Sequence, residues 1–379
     1  MTFWQNLTLA FKGGGQQTRP PLGRSYIGTY GGASFTGEAP FSYEGQVREA
    51  YVRNAVAQRA VRIVAEGVGG APLAPMDDAL TSLVNATSAG QSLLETIAAH
   101  LLLHGNAYVQ LICGAEDQPA ELFALRPDRI TIESDAKGWP AAYVYRAGEH
   151  QTRIAAQDER GRPAIIHIKA FHPTDDHYGL GCLGAAAKAV AVHNAAAQWN
   201  KALLDNAARP SGALVFDPGP DGSVLSADQF DRLKAEMEAS FSGSGNAGRP
   251  MLLEGGLKWQ SMSMTPADMD FVALKAAAAR EIALAFGVPP MLLGLPGDNS
   301  YANYKEANRA LWRLTILPLA GKILDGLAGG LRLWWPDAKL TIDRDQIPAL
   351  SEDRERLWQQ VSGADFLSPE EKRSRLGID

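Results

Sequence analysis

Apolar residues recur with two different spacings in the first half of the chain. From Glu49 to Val64 they lie three and four residues apart, which predicts a helix, and a second helix is predicted over residues 92–104, ending at Gly105. Five shorter runs rich in β-branched and aromatic residues predict strands at residues 107–112, 121–125, 129–133, 142–145 and 164–170. Residues 46–182 are therefore predicted to form an α+β unit, after a Gly- and Pro-rich flexible arm over residues 1–45.

Two long helical patterns flank a small insert in the second half of the chain. The first covers residues 183–208 and the second covers residues 266–287, with Thr265 as its predicted N-cap. The insert, residues 209–265, predicts a strand at 213–216, a helix at 227–241 and a hairpin at 251–264.

Farther along, the pattern predicts a long helix over residues 301–331, bent at Pro318, and then a strand at 339–343. A charged helix is predicted over residues 351–361. Ser368 and Glu371 predict a capping box at the start of a last helix.

The segment before the long helix, residues 288–300, interrupts the helical pattern. Pro289 and Pro290 stop the preceding helix, because the second proline disfavours an α conformation for the first and neither has an N–H to donate. The apolar run Met291, Leu292 and Leu293 follows. Gly294, Pro296 and Gly297 then predict a loop without a helix or strand of its own.

Composition narrows the function classes. With 379 residues and 46% hydrophobic side chains, the chain can bury a core in two or three structural units. The 36 basic and 42 acidic side chains give a net charge of -6, which argues against a tight or sequence-reading nucleic-acid binder. Cys113 and Cys182 form no paired motif and predict buried, inert thiols in a reducing compartment. No apolar run reaches the ~18 residues of a membrane span, so we expect a soluble, unexported chain.

Two motifs suggest chemistry and are weighed against structural interpretations. "GLGCLG" at residues 179–184 matches a dinucleotide-binding pattern, but the predicted strand before it ends a whole loop earlier, which favours a chance match. His172, Asp175, Asp176 and His177 in "HPTDDH", with His167 nearby, are possible metal ligands, although Asp and His in such a loop also serve as caps. His100 and His104 share one helical face, where packing or an interaction with the helix C-terminus is the favoured interpretation.

The ordered set of segments resembles the portal proteins of tailed bacteriophages, including those of prophages and gene transfer agents. The matching stretches include "LLLHGNAYVQL", "LFALRPDRITI", "IIHIKAFHPTDDHYGLGCL", "ARPSGALVF" and "LSPEEKRSRLGI". The most specific is "EIALAFGVPPMLLG" followed by "SYANYKEA". The N-terminal arm contributes little to the resemblance.

The resemblance implies an α+β portal fold in a ring of about twelve subunits. Its parts would be a wing at residues 46–182, stem helices at 183–208 and 266–287, and a clip inserted between them at 209–265. A tunnel loop would follow at 288–300, a long bent helix with a returning wing strand at 301–348, and a short helical crown at 349–379. The implied function is structural, not enzymatic, with no cofactor and no bound metal.

The resemblance also implies partners and a location. The ring would occupy one vertex of a virion or virus-like particle, after assembly in the host cytoplasm, and would contact the major capsid protein, the large terminase subunit and a head-tail connector protein. Double-stranded DNA would pass through it without sequence-specific binding during packaging and ejection, and no membrane partner is expected.

Three groups of candidate site residues follow from the resemblance. The tunnel-loop group, for the DNA channel and ring contacts, is Val288, Pro289, Pro290, Met291, Leu292, Leu293, Gly294, Asp298, Asn299 and Ser300. The stem candidates for lining the channel are Lys201, Lys275 and Arg280. The clip candidates for docking terminase or adaptor are Asp217, Asp221, Gly243, Asn246 and Arg249.

Length and charge agree with this interpretation. A helix over residues 266–286, at ~1.5 Å per residue, spans about 30 Å, close to one turn of B-DNA. Twelve chains of net charge -6 would carry roughly -72, so the summed field would repel phosphate. Two alternatives stay open: a metal-dependent hydrolase that uses His172, Asp175, Asp176 and His177, and a head-tail adaptor that is not a portal.

Overall fold

The computed structural model describes residues 22, 42–88, 90–114, 117–205, 212–216, 226–241, 257–261, 271–295 and 300–377. The chain divides into two compact units. Unit 1 comprises Met1–Phe41, Leu73–Gly181 and Ala320–Ile342, and Leu22 is the one described residue of its first stretch. Unit 2 comprises Ser42–Pro72, Cys182–Leu319 and Asp343–Asp379.

The described helices and strands are numbered in chain order. The α-helices are α1 Tyr43–Val47, α2 Ala55–Gly69, α3 Asp78–Val84, α4 Leu93–His104, α5 Leu183–Asp205, α6 Ala227–Phe241, α7 Phe271–Ala285, α8 Tyr301–Leu311, α9 Leu317–Leu331, α10 Ser351–Ser362 and α11 Pro369–Leu376. The strands are β1 Thr87–Ser88, β2 Gln91–Ser92, β3 Asn106–Cys113, β4 Pro119–Leu125, β5 Ile130–Ser134, β6 Pro140–Ala147, β7 His150–Ala155, β8 Ile165–Lys169, β9 Gly212–Phe216 and β10 Leu257–Ser261.

Unit 1 is built on two small antiparallel sheets. One has the strand order β4-β3-β8 and the other β5-β6-β7. Tyr108 of β3 pairs with Leu125 on one side and His167 on the other, and its fully buried ring lies at the centre of the core. Two glycines of α9 contact β8 closely, because a Cβ on Gly326 or Gly330 would overlap Ile168 or Ile166.

Most of the predicted strands are confirmed within one to three residues. Strand β7 was missed, and one predicted strand is absent from the described residues. Strand β7 was not predicted because "HQTRIA" is polar and its side chains are almost all exposed, so no apolar alternation marks it. The predicted strand at residues 339–343 is instead an extended segment with one isolated bridge, between Leu73 and Ile342. Cys113 is exposed rather than buried, since it ends β3 where the strand leaves the core.

Unit 2 is largely helical. α5 packs against α7, and α2 packs against α7 and against the turn of π-helix at Trp312–Ile316. A Cβ on Gly67 of α2 would approach within 2.5 Å of Ile316, so the glycine permits this close contact. The short helix α1 begins at Tyr43, after its N-cap Ser42, which corrects the predicted arm of residues 1–45; nearly all of that arm lies outside the described residues.

The insert between α5 and α7 is described only in part. β9 pairs antiparallel with β10, and α6 spans the predicted residues. The hairpin predicted at residues 251–264 is described only through β10, and residues 206–208 and 266–270 of the two predicted flanking helices lie outside the described residues.

Pro318 is accommodated by a change of helix type, which refines the predicted bend. Proline cannot donate to the carbonyl four residues before it and would clash with it in a regular α-helix. The π-helix at Trp312–Ile316 widens the turn just ahead, where Leu317 N donates to Trp312 O. The helical path stays continuous from Tyr301 to Leu331.

This same stretch, Tyr301–Leu331, is long and apolar enough to cross a membrane, with a mean hydropathy of 1.3 over an 18-residue window. No uncharged apolar run of that length occurs in it, because Arg309, Arg313 and Lys322 interrupt it. Length and composition are weak evidence, since core helices pass the same test. The large side chains of α9, at Ile323, Leu324, Leu327 and Leu331, are fully buried, which is typical of a core helix.

Candidate functional site

Helices α5 and α7 combine a buried face with exposed apolar residues. One face of each is buried where they pack together in unit 2, for example at Ala189, Val190, Ala279 and Ile282. Elsewhere on the two helices the exposed residues are mostly apolar, with Lys188, Gln198, Lys201, Arg280 and Glu281 exposed among them. The exposed apolar residues on α5 are Gly184, Ala185, Ala191, Val192, Ala195, Trp199 and Ala202, and on α7 they are Val272, Ala273, Leu274, Ala277 and Leu284. We name these twelve residues the outer helix face.

The outer helix face is unusual for a subunit alone in water. Val272 and Leu284 are 82% and 79% exposed, one near each end of α7. A helix that is apolar nearly all round is normally covered on both sides. Contiguous apolar surface of this kind marks an interaction site.

The three stem candidates lie on or near this pair of helices. Lys201 and Arg280 are exposed, whereas Lys275 is partly buried. Burial lowers the pKa of His193, and the charge of Lys275 lowers it further. Lys275 is therefore a partly internal residue that acts on His193, and Lys201 and Arg280 are the better candidates for contact with another molecule.

A buried polar network fixes α5 to the start of α2, and sequence reasoning missed it. Asn54 caps α2 by accepting from Ala57 N at 3.0 Å, and its Nδ2 donates to Asn194 Oδ1 at 2.9 Å. Its Nδ2 also lies 3.1 Å from His193 Nδ1, and Asn194 Nδ2 donates to Glu49 O at 3.1 Å. The available signal was an Asn directly before a helical pattern.

The end of α7 is set by a left-handed glycine. Gly287 has a φ of +66°, and its carbonyl accepts from Thr315 Oγ1 at 2.6 Å. Val288 then folds back, its N donating to Ala283 O, with its side chain 2% exposed. Val288 is thus a core residue of unit 2 rather than part of a surface loop.

The predicted tunnel loop contains a helix of its own, which corrects the prediction of an irregular segment. Pro289 is extended, with φ -56° and ψ 127°, as a residue before proline should be. Pro290–Leu293 forms a turn of 3-10 helix, because proline fits its first position. Met291, Leu292 and Leu293 are partly buried, and Gly294 is left-handed at φ +71° with open space beside it.

The loop ends in a helix cap. Ser300 Oγ accepts from Asn303 N at 3.2 Å, so Ser300 is the N-cap of α8. Pro296, Gly297, Asp298 and Asn299 lie outside the described residues, as do all five clip candidates, Asp217, Asp221, Gly243, Asn246 and Arg249.

An ion-pair cluster holds α8 to α10 within unit 2. Arg309, only 8% exposed, pairs with Glu306 at 2.8 Å and with Glu352 at 2.5 Å. Lys305 joins Glu352 at 2.9 Å, and its hydrogen bond lowers the pKa of the Glu352 carboxyl. Local spacing does not reveal the contacts with Glu352, which lies 47 residues from Lys305 and 43 residues from Arg309 along the chain.

The histidine and aspartate loop is used for local structure. Asp175 Oδ1 accepts from His177 N at 2.7 Å and from Tyr178 N at 2.9 Å. His172 Nδ1 accepts from Thr174 N, the Asp176 carbonyl accepts from Lys169 Nζ, and His167 Nε2 lies 3.1 Å from Asn106 Oδ1. Among the residues that the structure describes, no group of three or more His, Cys, Asp or Glu could hold a metal ion. The geometry therefore does not favour the metal-dependent hydrolase.

The "GLGCLG" motif serves backbone packing. Gly105 ends α4 at φ +82°, and its carbonyl accepts from Ala170 N at 2.8 Å. A Cβ on Gly179 would overlap Gly105 O, and a Cβ on Gly181 would overlap Leu103 O. Gly179 and Gly181 are thus required where two backbones meet, whereas Gly184 has open space beside it, and this packing agrees with the interpretation against a dinucleotide site.

Comparison with known proteins identifies the family. The family model described as "Phage portal protein" matches residues 55–377. The chain belongs to the phage portal protein family. This confirms the family resemblance found in the sequence.

Portal-family relatives match most of the chain. A chain in the virion of a native gene transfer agent particle is 48% identical, with 89% of this chain and 93% of that chain covered and a TM-score of 0.69. A chain in the neck of a native gene transfer agent particle, computed with C12 symmetry, is also 48% identical, with 90% and 94% covered and the same TM-score of 0.69. An uncharacterised protein of Rickettsia felis is 39% identical over 87% of this chain and 88% of its own length. The mixed helix and sheet structure described above thus matches chains of gene transfer agent particles.

Proposed function

We propose that this portal-family chain forms a ring of about twelve copies at one vertex of a virus-like particle, with double-stranded DNA passing through the centre. The observation that carries the proposal is the outer helix face, which a single subunit leaves in water. Neighbouring copies in a ring would cover it. The likeness to a neck chain in a C12-symmetric particle supports the same assembly.

The parts of the ring follow from the chain order. Unit 1 would form most of the wing, α5 and α7 the stem, residues 209–265 the clip, residues 289–300 the tunnel loop, and α10 with α11 a short crown. Met291, Leu292 and Leu293 would make ring contacts, and Asp298, Asn299 and Ser300 would face the channel. Because Ser300 Oγ is engaged as a helix cap, Asp298 and Asn299 are the stronger channel candidates.

The proposed partner proteins follow from the positions of the clip and of the ring in the particle. Terminase and the connector protein would dock on the clip, near Asp217, Asp221, Gly243, Asn246 and Arg249, and the major capsid protein would surround the ring. The net charge of -6 per chain would keep DNA from adhering during passage. No bound metal or cofactor is needed for this role, since the energy for packaging would come from the terminase.

The test is assembly state and particle incorporation. We expect mass photometry and negative-stain images of the chain, produced with its particle proteins, to show rings of about twelve copies with an axial hole. Leu284→Glu should abolish rings, because a carboxylate would be buried against the neighbouring stem. Phe171→Glu is the control, since Phe171 is 81% exposed and belongs to unit 1 rather than to the outer helix face.

Two results would refute the proposal. One is a chain that stays monomeric and binds neither capsid nor terminase components. The other is a Leu284→Glu variant that forms rings and enters particles as the wild type does, with Phe171→Glu behaving identically.

A further inference from the structure

The connection between β5 and β6 is a rigid turn at residues 135–139. Asp135 N donates to Trp139 O at 2.7 Å, and Gly138 N donates to Asp135 O at 3.0 Å. The Asp135 carboxylate closes the turn from inside, accepting from Lys137 N and Trp139 N at 2.8 Å each. With four hydrogen bonds over five residues, the turn presents a fixed outer edge.

Leu22 of the N-terminal arm lies against this edge. Its N–H donates to Lys137 O at 3.0 Å, and a Cβ built on Gly138 would overlap its carbonyl oxygen. Gly138 has a φ of +85°, a region in which glycine is favoured. Its missing side chain therefore serves two purposes, the turn conformation and the space that Leu22 occupies.

Two other turns of unit 1 show that the second purpose is separate. Gly148 and Gly161 have similar left-handed φ values of +62° and +76°, and no heavy atom lies within 4 Å of a Cβ at either. Turn conformation alone thus leaves open space beside the glycine. The space at Gly138 is filled by the arm.

His177 supports the turn from the other side. Its ring is buried, and Nε2 lies 2.5 Å from Gly138 O and 3.1 Å from Ser134 Oγ. Its backbone N–H is held in turn by Asp175. One role of the "HPTDDH" segment is therefore to position the turn that receives Leu22.

We propose that the 135–139 turn is a binding site for the chain's own N-terminal arm, which it holds at Leu22 by backbone contact. The site fits an extended peptide that offers an N–H to Lys137 O and a carbonyl to the space above Gly138. The occupant is the same chain, because Leu22 itself makes the hydrogen bond. The inference does not depend on ring formation or on DNA.

Hydrogen exchange tests the site directly. We expect the Leu22 amide to exchange at least about tenfold more slowly than in an unstructured peptide, because it is hydrogen-bonded. Gly138→Ala should remove this protection by steric overlap. Gly148→Ala is the matched control: it imposes the same left-handed strain on a neighbouring turn and should leave Leu22 protection unchanged.

A second pair of variants leaves the folded unit untouched. Leu22→Pro deletes the N–H donor and Leu22→Ala keeps it, and trypsin cleavage after Arg24, two residues farther along, is the readout. We expect Leu22→Pro to be cleaved severalfold faster than wild type, with Leu22→Ala in between or unchanged.

The proposal fails if Leu22 exchanges at the rate of a free peptide in the wild type, or if Gly138→Ala and Gly148→Ala give the same exchange. It also fails if Leu22→Pro and Leu22→Ala are cleaved alike. Protection that disappears on dilution would assign the arm to a second copy and overturn the same-chain assignment.

Discussion

Three partly buried histidines of unit 1 are held neutral by their surroundings. Burial lowers the pKa of His100 and of His104 to about 4, and that of His167 to about 3. Asn106 lies between two of them, with its Nδ2 3.1 Å from His104 Nδ1 and its Oδ1 3.1 Å from His167 Nε2. The charged neighbours differ in effect: Asp128 raises the pKa of His100 and His104, whereas Arg126 lowers that of His100 and Lys169 lowers that of His167.

These pKa values predict acid sensitivity of unit 1. A histidine with a folded pKa below its unfolded value of 6.5 leaves stability intact above pH 6.5, and the stability is lost as the pH falls towards the folded pKa. We expect the free energy of unfolding to fall between pH 6.5 and about 4, with each histidine adding up to about 1.4 kcal/mol per pH unit. Calorimetry at pH 7.5, 6.5, 5.5 and 4.5 measures this slope.

Single substitutions test which histidine causes the pH dependence of the free energy of unfolding. His167→Gln should flatten the pH dependence, because one proton-binding group of the unfolded state is removed. His150→Gln, in the exposed strand β7, is the control and should leave the slope as in the wild type. Equal slopes in the wild type and in His167→Gln would contradict the prediction.

The same histidines show how much of their role could be predicted from the sequence. The i, i+4 spacing of His100 and His104 was recognised, and packing was one of two favoured explanations. An interaction with the helix C-terminus needs a charged ring, and a histidine with a pKa near 4 is neutral at pH 7. Burial therefore favours packing over an interaction with the helix C-terminus. Whether a partly apolar helix face is buried depends on strands that are distant in sequence, so local residue spacing could not predict it.

At the scale of elements, long periodic helices were the most predictable. α4, α6 and α10 were predicted within one residue, because their ends have a glycine or a loop with clear turn residues. Strand β7 was missed because apolar and polar residues do not alternate along it. The extended segment at residues 339–343 was wrongly predicted to be a strand, because its apolar residues have no continuous partner strand. The Arg309–Glu352 ion pair and the contacts of Asn54 with His193 and Asn194 are tertiary, so local spacing does not reveal them.

Helix α9 offers a test of element packing with an internal control. Gly329 and Gly330 are adjacent, but a Cβ on Gly330 would overlap Ile166 of β8, whereas one on Gly329 meets nothing within 4 Å. We expect Gly330→Ala to lower the free energy of unfolding by about 1–3 kcal/mol through overpacking. Gly329→Ala should be neutral or raise it by up to about 1 kcal/mol, since alanine favours helix.

Chemical denaturation of both variants measures the difference. Gly329→Ala controls for the change in helix propensity, because both substitutions add one methyl group to the same turn of α9. If Gly330→Ala were as stable as Gly329→Ala, α9 would not lie on β8 as closely as described.

At the scale of the whole molecule, unit 2 combines a buried core with the exposed outer helix face. The segment at residues 288–300 is anchored at both ends, by Gly287 to Thr315 and by the Ser300 cap, and Arg309 fixes the helix beyond. Both anchors lie outside residues 294–299. Pro289 and Pro290 correctly predicted where the preceding helix stops, because proline acts locally, but they did not reveal the 3-10 turn at Pro290–Leu293.

We predict that deleting residues 294–299 leaves the unfolding temperature unchanged and reduces DNA packaging or retention. The reason is that the anchors lie outside the deletion, while the deleted residues include the proposed channel candidates Asp298 and Asn299. Replacing the same residues with a Gly-Ser segment of equal length tests whether their identity or only the length matters. The readout is the DNA content of purified particles, and an undiminished content in the deletion variant would refute the tunnel-loop role.

Gly105, Gly179 and Gly181 lie where two backbone segments pack closely, and this contact explains the resemblance to a nucleotide-binding motif. Because even one methyl group would overlap a backbone atom at Gly179 and Gly181, packing alone requires two of the three glycines of the nucleotide-binding pattern, whereas Gly184 has open space beside it. The strand that should precede such a pattern, β8, ends at Lys169, well before Gly179. Close backbone packing therefore accounts for most of the motif in this chain without any bound nucleotide.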